Sequence, residues 1–259
     1  MVAWNRQALP GYFRMGLTCR TGFDTAKPGQ FVMVRVGQDS RALLRRPFSI
    51  LGRIDDGGRV IGFEILYKVV GEGTRCLSDC GEGDRLDVIG PLGNAFEMPD
   101  FCRYPAFVAG GVGVPPIRFL AHCLPGKKGV PEHCVVFIGA RTREELVCLE
   151  EFDLPGVVLD ISTDDGSMGS QGVVTRRLEQ AAADGRLDLI CACGPPPMLK
   201  AVARIAASYD IPCQVSIEAM MACGMGACLG CAVQVKDDND HYRHVCIDGP
   251  VFDAGRLTW

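Results

Sequence analysis

The chain has 259 residues, of which 47% are hydrophobic and 22% charged, a soluble, globular composition that can bury one large core or two to three small ones. A net charge of -4, with Lys and Arg scattered, leaves no basic face for nucleic acid. No apolar run reaches the ~20 residues that span a bilayer and no secretory pattern follows Met1, so no membrane partner is expected and the cytoplasm is the expected location.

Residues 1–100 alternate short β-branched runs with Gly and Asp turns, at 30–36, 48–51, 60–67 and 85–89, which predicts a small antiparallel barrel. Within it, Gly71-Glu72-Gly73-Thr74 leads into a helical turn. A glycine-led helix start offers free N–H groups to a pyrophosphate, and an arginine such as that of Arg46-Pro47-Phe48-Ser49 can clamp the same charge. Each signal is weak alone, since an arginine ahead of a proline is commonly a solvated strand end. Together they suggest a dinucleotide such as FAD.

Residues 101–213 change to strand and helix alternation. Continuous apolar runs at 106–109, 135–139, 157–161 and 189–193 are separated by helical stretches at 117–123, 144–152, 173–183 and 198–208. Strands apolar throughout mean a parallel sheet covered on both faces, a doubly wound α/β domain with ligands at the carboxyl ends of its strands. Gly110-Gly111-Val112-Gly113 follows the first strand and opens a helix, the context a nucleotide loop requires, although it is not a strict G-x-G-x-x-G. A second turn, Cys193-Gly194-Pro195, ends the last strand. Two such turns on one sheet edge fit a nicotinamide dinucleotide; glycines needed only for a tight turn are the plainer reading of each. Thr163-Asp164-Asp165-Gly166-Ser167 is a surface turn or a contact to the adenosine half.

Residues 214–259 are too few to bury a core alone. They carry Cys223, Cys228, Cys231 and Cys246 in the spacing C-x4-C-x2-C-x14-C, the plant-type ligand pattern for a 2Fe-2S cluster. Small residues between the first three let backbone N–H groups approach the sulfur atoms. Structural zinc is the rival, but it commonly uses two C-x2-C units and this segment has one. The other ten cysteines read as small buried hydrophobes, and the four histidines as surface residues.

Arg46-Pro47-Phe48-Ser49, Gly73-Thr74, Gly90-Pro91-Leu92-Gly93-Asn94, Gly110-Gly111-Val112-Gly113, Cys193-Gly194-Pro195 and the cysteine motif, in that order, resemble the ferredoxin reductase superfamily. The cysteine loop with Val245-Cys246-Ile247-Asp248-Gly249-Pro250 is similar to the electron-transfer subunits of type B dihydroorotate dehydrogenases. The resemblance covers nearly the whole chain. It implies a multi-domain protein: an antiparallel β-barrel FAD domain over 1–100, a doubly wound α/β nicotinamide domain over 101–213, and a small 2Fe-2S domain over 214–259. It further implies FAD contacts from Arg46, Pro47, Phe48, Ser49, Leu66, Tyr67, Lys68, Gly73 and Thr74. Gly110, Gly111, Gly113, Cys193 and Gly194 are expected at NAD, a diffusible co-substrate, and the four cysteines at the cluster. Ser49 is expected near flavin N5 and Cys193 on the nicotinamide side.

The partner implied is a flavin-containing catalytic subunit of dihydroorotate dehydrogenase type in a hetero-oligomer, expected to be a heterotetramer. Electrons would pass from it to NAD+ in pyrimidine biosynthesis. The alternatives are a reductase subunit with the same cofactors serving ferredoxin or a sulfur-reducing partner, and a colourless zinc scaffold without activity.

Overall fold

The computed structural model describes residues 1–19, 22–36, 43–100, 102–124, 133–236 and 241–259. Phe101, where the second predicted stretch begins, lies outside them. Six antiparallel strands build the N-terminal body: β1 (Val2–Leu9), β2 (Tyr12–Thr18), β3 (Phe31–Arg35), β4 (Arg46–Asp56), β5 (Arg59–Lys68) and β6 (Asp87–Leu92). Their order is β1-β2-β5-β4-β3-β6. Val2 donates to the Asp84 carbonyl at 2.8 Å and accepts from the Gly83 amide at 2.9 Å, which draws β1 toward the segment ahead of β6 and curls the sheet into a barrel. Period-two alternation sends Met15, Val32, Val34, Ile50, Phe63 and Ile65 into its core, each at most 1% exposed. A short helix, α1 (Glu72–Ser78), follows β5.

The predicted barrel strands correspond to β3, β4, β5 and β6, while β1 and β2 carry little sequence signal. Of β1 only Val2 is buried, and Gly16 interrupts β2. That glycine is required by the close approach of Trp4 on the neighbouring strand: a Cβ at Gly16 would stand 2.5 Å from the indole.

The second body is a seven-stranded sheet of order β10-β9-β8-β7-β11-β12-β15. Its strands are β7 (Pro105–Gly110), β8 (Cys134–Ala140), β9 (Val157–Thr163), β10 (Ser170–Gln171), β11 (Leu189–Cys193), β12 (Cys213–Ser216) and β15 (Val251–Asp253). All run parallel except β15, which is antiparallel to β12. Helix α2 (Val114–His122) covers one face, while α3 (Val174–Ala183) and α4 (Pro196–Ser208) cover the other. Double coverage explains why β7 and β11 are buried along their whole length.

The helix expected over 144–152 does not form. Two 3-10 turns, Arg143–Glu145 and Leu149–Phe152, stand there, separated by extended Leu146 and by Cys148 at φ 61°. Positions six apart lie about 240° around an α-helix, so a continuous one would turn Glu145 and Glu151 away from each other. The broken segment aims both carboxylates at the barrel while Leu146, Val147 and Phe152 enter the core.

The last stretch is held near both of its own ends by one edge of the second sheet. β12 crosses positions 213 and 214, and β15 adds the outermost strand. Between them, β13 (Ala232–Gln234) pairs with β14 (Tyr242–His244) in a hairpin flanked by Cys231 and Cys246.

Candidate cofactor cleft and cluster loop

A cleft of about 1040 Å³ lies where the barrel, the sheet and the cysteine segment meet. That volume is at the upper end of the roughly 300–1,000 Å³ usual for small-molecule sites, and suits a dinucleotide. The barrel supplies Arg46, Pro47, Phe48 and Ser49 from β4, Leu66, Tyr67 and Lys68 from β5, and Thr74 from α1. Strand alternation divides the β5 set: Tyr67 joins the barrel core and donates its hydroxyl to Asn5 Oδ1 at 3.0 Å, while Leu66 packs on the opposite side. Burial pushes the Tyr67 hydroxyl pKa up, so it remains a neutral donor.

Arg46 lies beside the start of α1: a Cβ on Gly73 would be 3.5 Å from its Nε. Its Nη1 donates to the Leu44 carbonyl at 2.7 Å. The Thr74 hydroxyl accepts from the Val70 amide at 2.9 Å and the Gly71 amide at 3.2 Å, closing the first turn on itself. A guanidinium and a helix start therefore share one end of the cleft, which fits a pyrophosphate.

The nicotinamide-side residues sit differently. The turns after β7 and β11 interlock: a Cβ on Gly113 would stand 2.3 Å from the Cys193 carbonyl oxygen, and one on Gly194 would stand 3.1 Å from the Gly110 amide. Gly111, at φ +54°, has open space around it. Gly110, Gly111, Gly113, Cys193 and Gly194 thus form the joined carboxyl edge of β7 and β11 rather than the cleft wall. Cys193 is 1% exposed and its side chain belongs to the sheet core, so burial pushes its thiol pKa up. The wall there is made instead by Val112, Pro115, Pro196, Ser216 and Glu218. Ser216 and Glu218 carry no motif, and only their position at and just beyond the carboxyl end of the last parallel strand could have suggested them.

The cysteine loop forms the remaining wall. Met221 and Ala222 precede Cys223 and, with Gly230, line the cleft. Cys231 and Cys246 are buried, with Sγ atoms 3.3 Å apart, beneath Phe31 and Met33 of β3. Cys223 and Cys228 lie nearer the surface and are joined by a bond from the Cys228 amide to Cys223 Sγ at 3.4 Å. The Met225 amide reaches the same sulfur at 3.4 Å, and the Gly226 amide reaches Cys246 Sγ at 3.1 Å. These donors favour a thiolate, and the Met225 amide leads in holding the Cys223 pKa down at about 6. Burial, with the adjacent Cys231 thiol, holds Cys246 up at about 11. Gly224 at φ +71° has no room for a side chain, because a Cβ would stand 2.4 Å from Met33 Cγ.

Among the described residues no three His, Cys, Asp or Glu side chains converge on a single-ion site. The thiols instead form two pairs with N–H donors at the sulfur atoms, a donor set that fits a two-iron cluster.

The family model for the iron-sulfur cluster binding domain of dihydroorotate dehydrogenase B matches residues 218–258, which hold all four cysteines, and an oxidoreductase NAD-binding domain matches 107–204. The chain is 40% identical over 233 residues to the electron transfer subunit of dihydroorotate dehydrogenase B (NAD(+)) from Caldanaerobacter subterraneus subsp. tengcongensis, covering 90% of this chain and 87% of that one. The chain belongs to this electron transfer subunit family. The Bacillus caldolyticus member is 38% identical over 260 residues, 99% of this chain and 96% of its own. A solved structure of an NADH-dependent reduced ferredoxin-NADP oxidoreductase, described for flavin-based electron bifurcation, superposes with a TM-score of 0.85 at 30% identity. It covers 100% of this chain and 89% of that chain. Ferredoxin-NADP+ reductase from Plasmodium falciparum, at 12% identity and TM-score 0.63 over 81% of this chain and 90% of its own, shares the fold. The family's barrel, sheet and cysteine segment are thus the three walls of the cleft.

Proposed function

We propose that this protein carries electrons from the flavin of a dihydroorotate dehydrogenase catalytic subunit to NAD+ in pyrimidine biosynthesis. It does so in the cytoplasm, within a hetero-oligomer expected to be a heterotetramer. When bound, the 2Fe-2S cluster supplies one-electron transfer and FAD converts between one-electron and two-electron chemistry. The observation that carries the reading is the position of Ala222 and Gly230: each is the chain neighbour of a cluster cysteine, and both line the cleft between barrel and sheet. A flavin ring held in that cleft would have the cluster loop as one of its walls.

Division of labour follows the three stretches 1–100, 101–213 and 214–259. Arg46 and the α1 start, with Gly73 and Thr74, would hold the FAD pyrophosphate. Pro47, Phe48, Ser49, Leu66, Tyr67 and Lys68 would bound the ring, with the Ser49 hydroxyl available as a donor to it. Gly110, Gly111, Gly113, Cys193 and Gly194 shape the edge that receives NAD(H), and Cys223, Cys228, Cys231 and Cys246 hold the cluster. Cys228 and Cys223, at the outer side of the loop, face the partner.

The test is a coupled assay with the reconstituted subunit and a cognate dihydroorotate dehydrogenase. Dihydroorotate-dependent formation of NADH supports the reading. Reduction of ferredoxin by NAD(P)H without any dihydroorotate activity would replace it with the ferredoxin-linked function that the 30% identical oxidoreductase suggests.

A further inference from the structure

One carboxylate joins the flavin cleft to the dinucleotide edge of the sheet. Glu145 stands in the 3-10 turn after β8, at the carboxyl end of the parallel strands where ligands of such sheets bind. Its Oε1 accepts from Lys68 Nζ at 3.2 Å, across the boundary between sheet and barrel. The same carboxylate receives Arg141 through both oxygens, with Nε donating to Oε2 at 2.9 Å and Nη2 to Oε1. The two cations differ in setting. Lys68 lines the cleft, with Nζ 4.9 Å from the centre of the Tyr12 ring, whereas the Arg141 side chain is 72% exposed.

We propose that Glu145 is a positioning residue that couples dinucleotide binding to the flavin by sharing its charge between Lys68 and Arg141. The inference rests on the function proposed above. A dinucleotide pyrophosphate on the sheet edge competes with Glu145 for the exposed Arg141, because guanidinium pairs with phosphate as readily as with carboxylate. Once Arg141 turns to phosphate, the full carboxylate charge falls on Lys68, and the positive field in the cleft weakens. A flavin ring that has gained two electrons carries negative charge and favours that field. Dinucleotide therefore binds more tightly beside oxidised flavin than beside reduced flavin, and linkage makes the effect reciprocal.

ADP-ribose tests this, since it carries the pyrophosphate of NAD but cannot be reduced. Its dissociation constant is measured on the FAD-loaded, cluster-loaded protein, oxidised and then reduced by dithionite. The wild type is expected to bind about tenfold more tightly when oxidised, equivalent to about 30 mV for a two-electron couple. Glu145→Gln is expected to bring the ratio near one with FAD retained. Arg141→Gln is expected to weaken ADP-ribose in both states and also to lose the ratio. A Glu145→Gln protein that keeps the wild-type ratio overturns the proposal, as does a wild type with equal affinities. Should Glu145→Gln fail to hold FAD, an unchanged ratio in Arg141→Gln overturns it alone. Absence of any ADP-ribose binding by the wild type would instead overturn the NAD-linked function itself.

Discussion

Asn94 holds Val251 by both ends of its side-chain amide: Nδ2 donates to the Val251 carbonyl at 2.8 Å, and the Val251 amide donates to Oδ1 at 2.9 Å. The same Nδ2 also reaches the Asp248 carbonyl at 3.0 Å, two residues beyond Cys246. One barrel residue thus fixes the return path of the cluster segment. Each bond contributes roughly 1 kcal/mol net, so Asn94→Ala should destabilise the protein by about 2–3 kcal/mol. The cluster visible bands should bleach faster under chelator than in the wild type. Equal bleaching rates would show that the clamp does not support the loop.

Gly52 is the passage through which α2 reaches the barrel. Arg118 Nη1 donates to the Leu51 carbonyl at 3.1 Å and the guanidinium also grips Glu151, while a Cβ on Gly52 would stand 2.3 Å from Nη1. Gly52→Ala must displace that guanidinium. The expected cost is about 1–3 kcal/mol, as for other overpacked sites, read as a lower urea midpoint. An unchanged midpoint would mean that Arg118 finds an equivalent seat.

Cys228 is the exposed member of the thiol set, and its amide serves only the loop. Cys228→Ser should remove the iron-sulfur absorbance yet keep FAD and the NADH oxidation that FAD supports with an artificial dye acceptor. If flavin is lost together with the cluster, the cleft depends on the loaded loop for its shape.

Acid should act through Glu145. Arg141 first, and Lys68 next, hold its carboxyl down at about 2, below the ordinary 4.5. In that interval the unfolded chain binds the proton and the folded one does not, so stability is fully present above pH 4.5 and is lost as pH falls toward 2. Glu145→Gln should therefore be less stable than wild type at pH 7 by urea unfolding, with the gap narrowing toward pH 3. A gap that stays constant across the range would exclude this linkage.

Much of the architecture was legible because it rests on local chemistry. The cysteine spacing, the glycine turns after β7 and β11, and the fully apolar strands each state a constraint that neighbouring residues can satisfy. What stayed hidden depends on residues far apart in sequence. The segment 144–152 reads as a helix, and only the barrel cations Arg14 and Lys68, which pair with Glu151 and Glu145, reveal why it breaks. β1 announces itself through no alternation, since its partner β2 and the Gly16 gap for Trp4 determine its place. Ser216 and Glu218 reach the cleft through the topology of β12, which no motif encodes. Cys193, read as a lining residue, faces inward because β11 is central in the sheet.

The cleft has walls from all three parts of the chain, and this gives its occupant a mechanical role. A flavin nucleotide seated there would touch all three at once, adding to the apolar packing, the strand pairing and the Asn94 clamp that already join them. Resistance to heat and proteolysis should then rise with free FAD concentration as RT ln(1 + [FAD]/Kd). A cofactor held by all three parts would stabilise the fold as well as supply its chemistry.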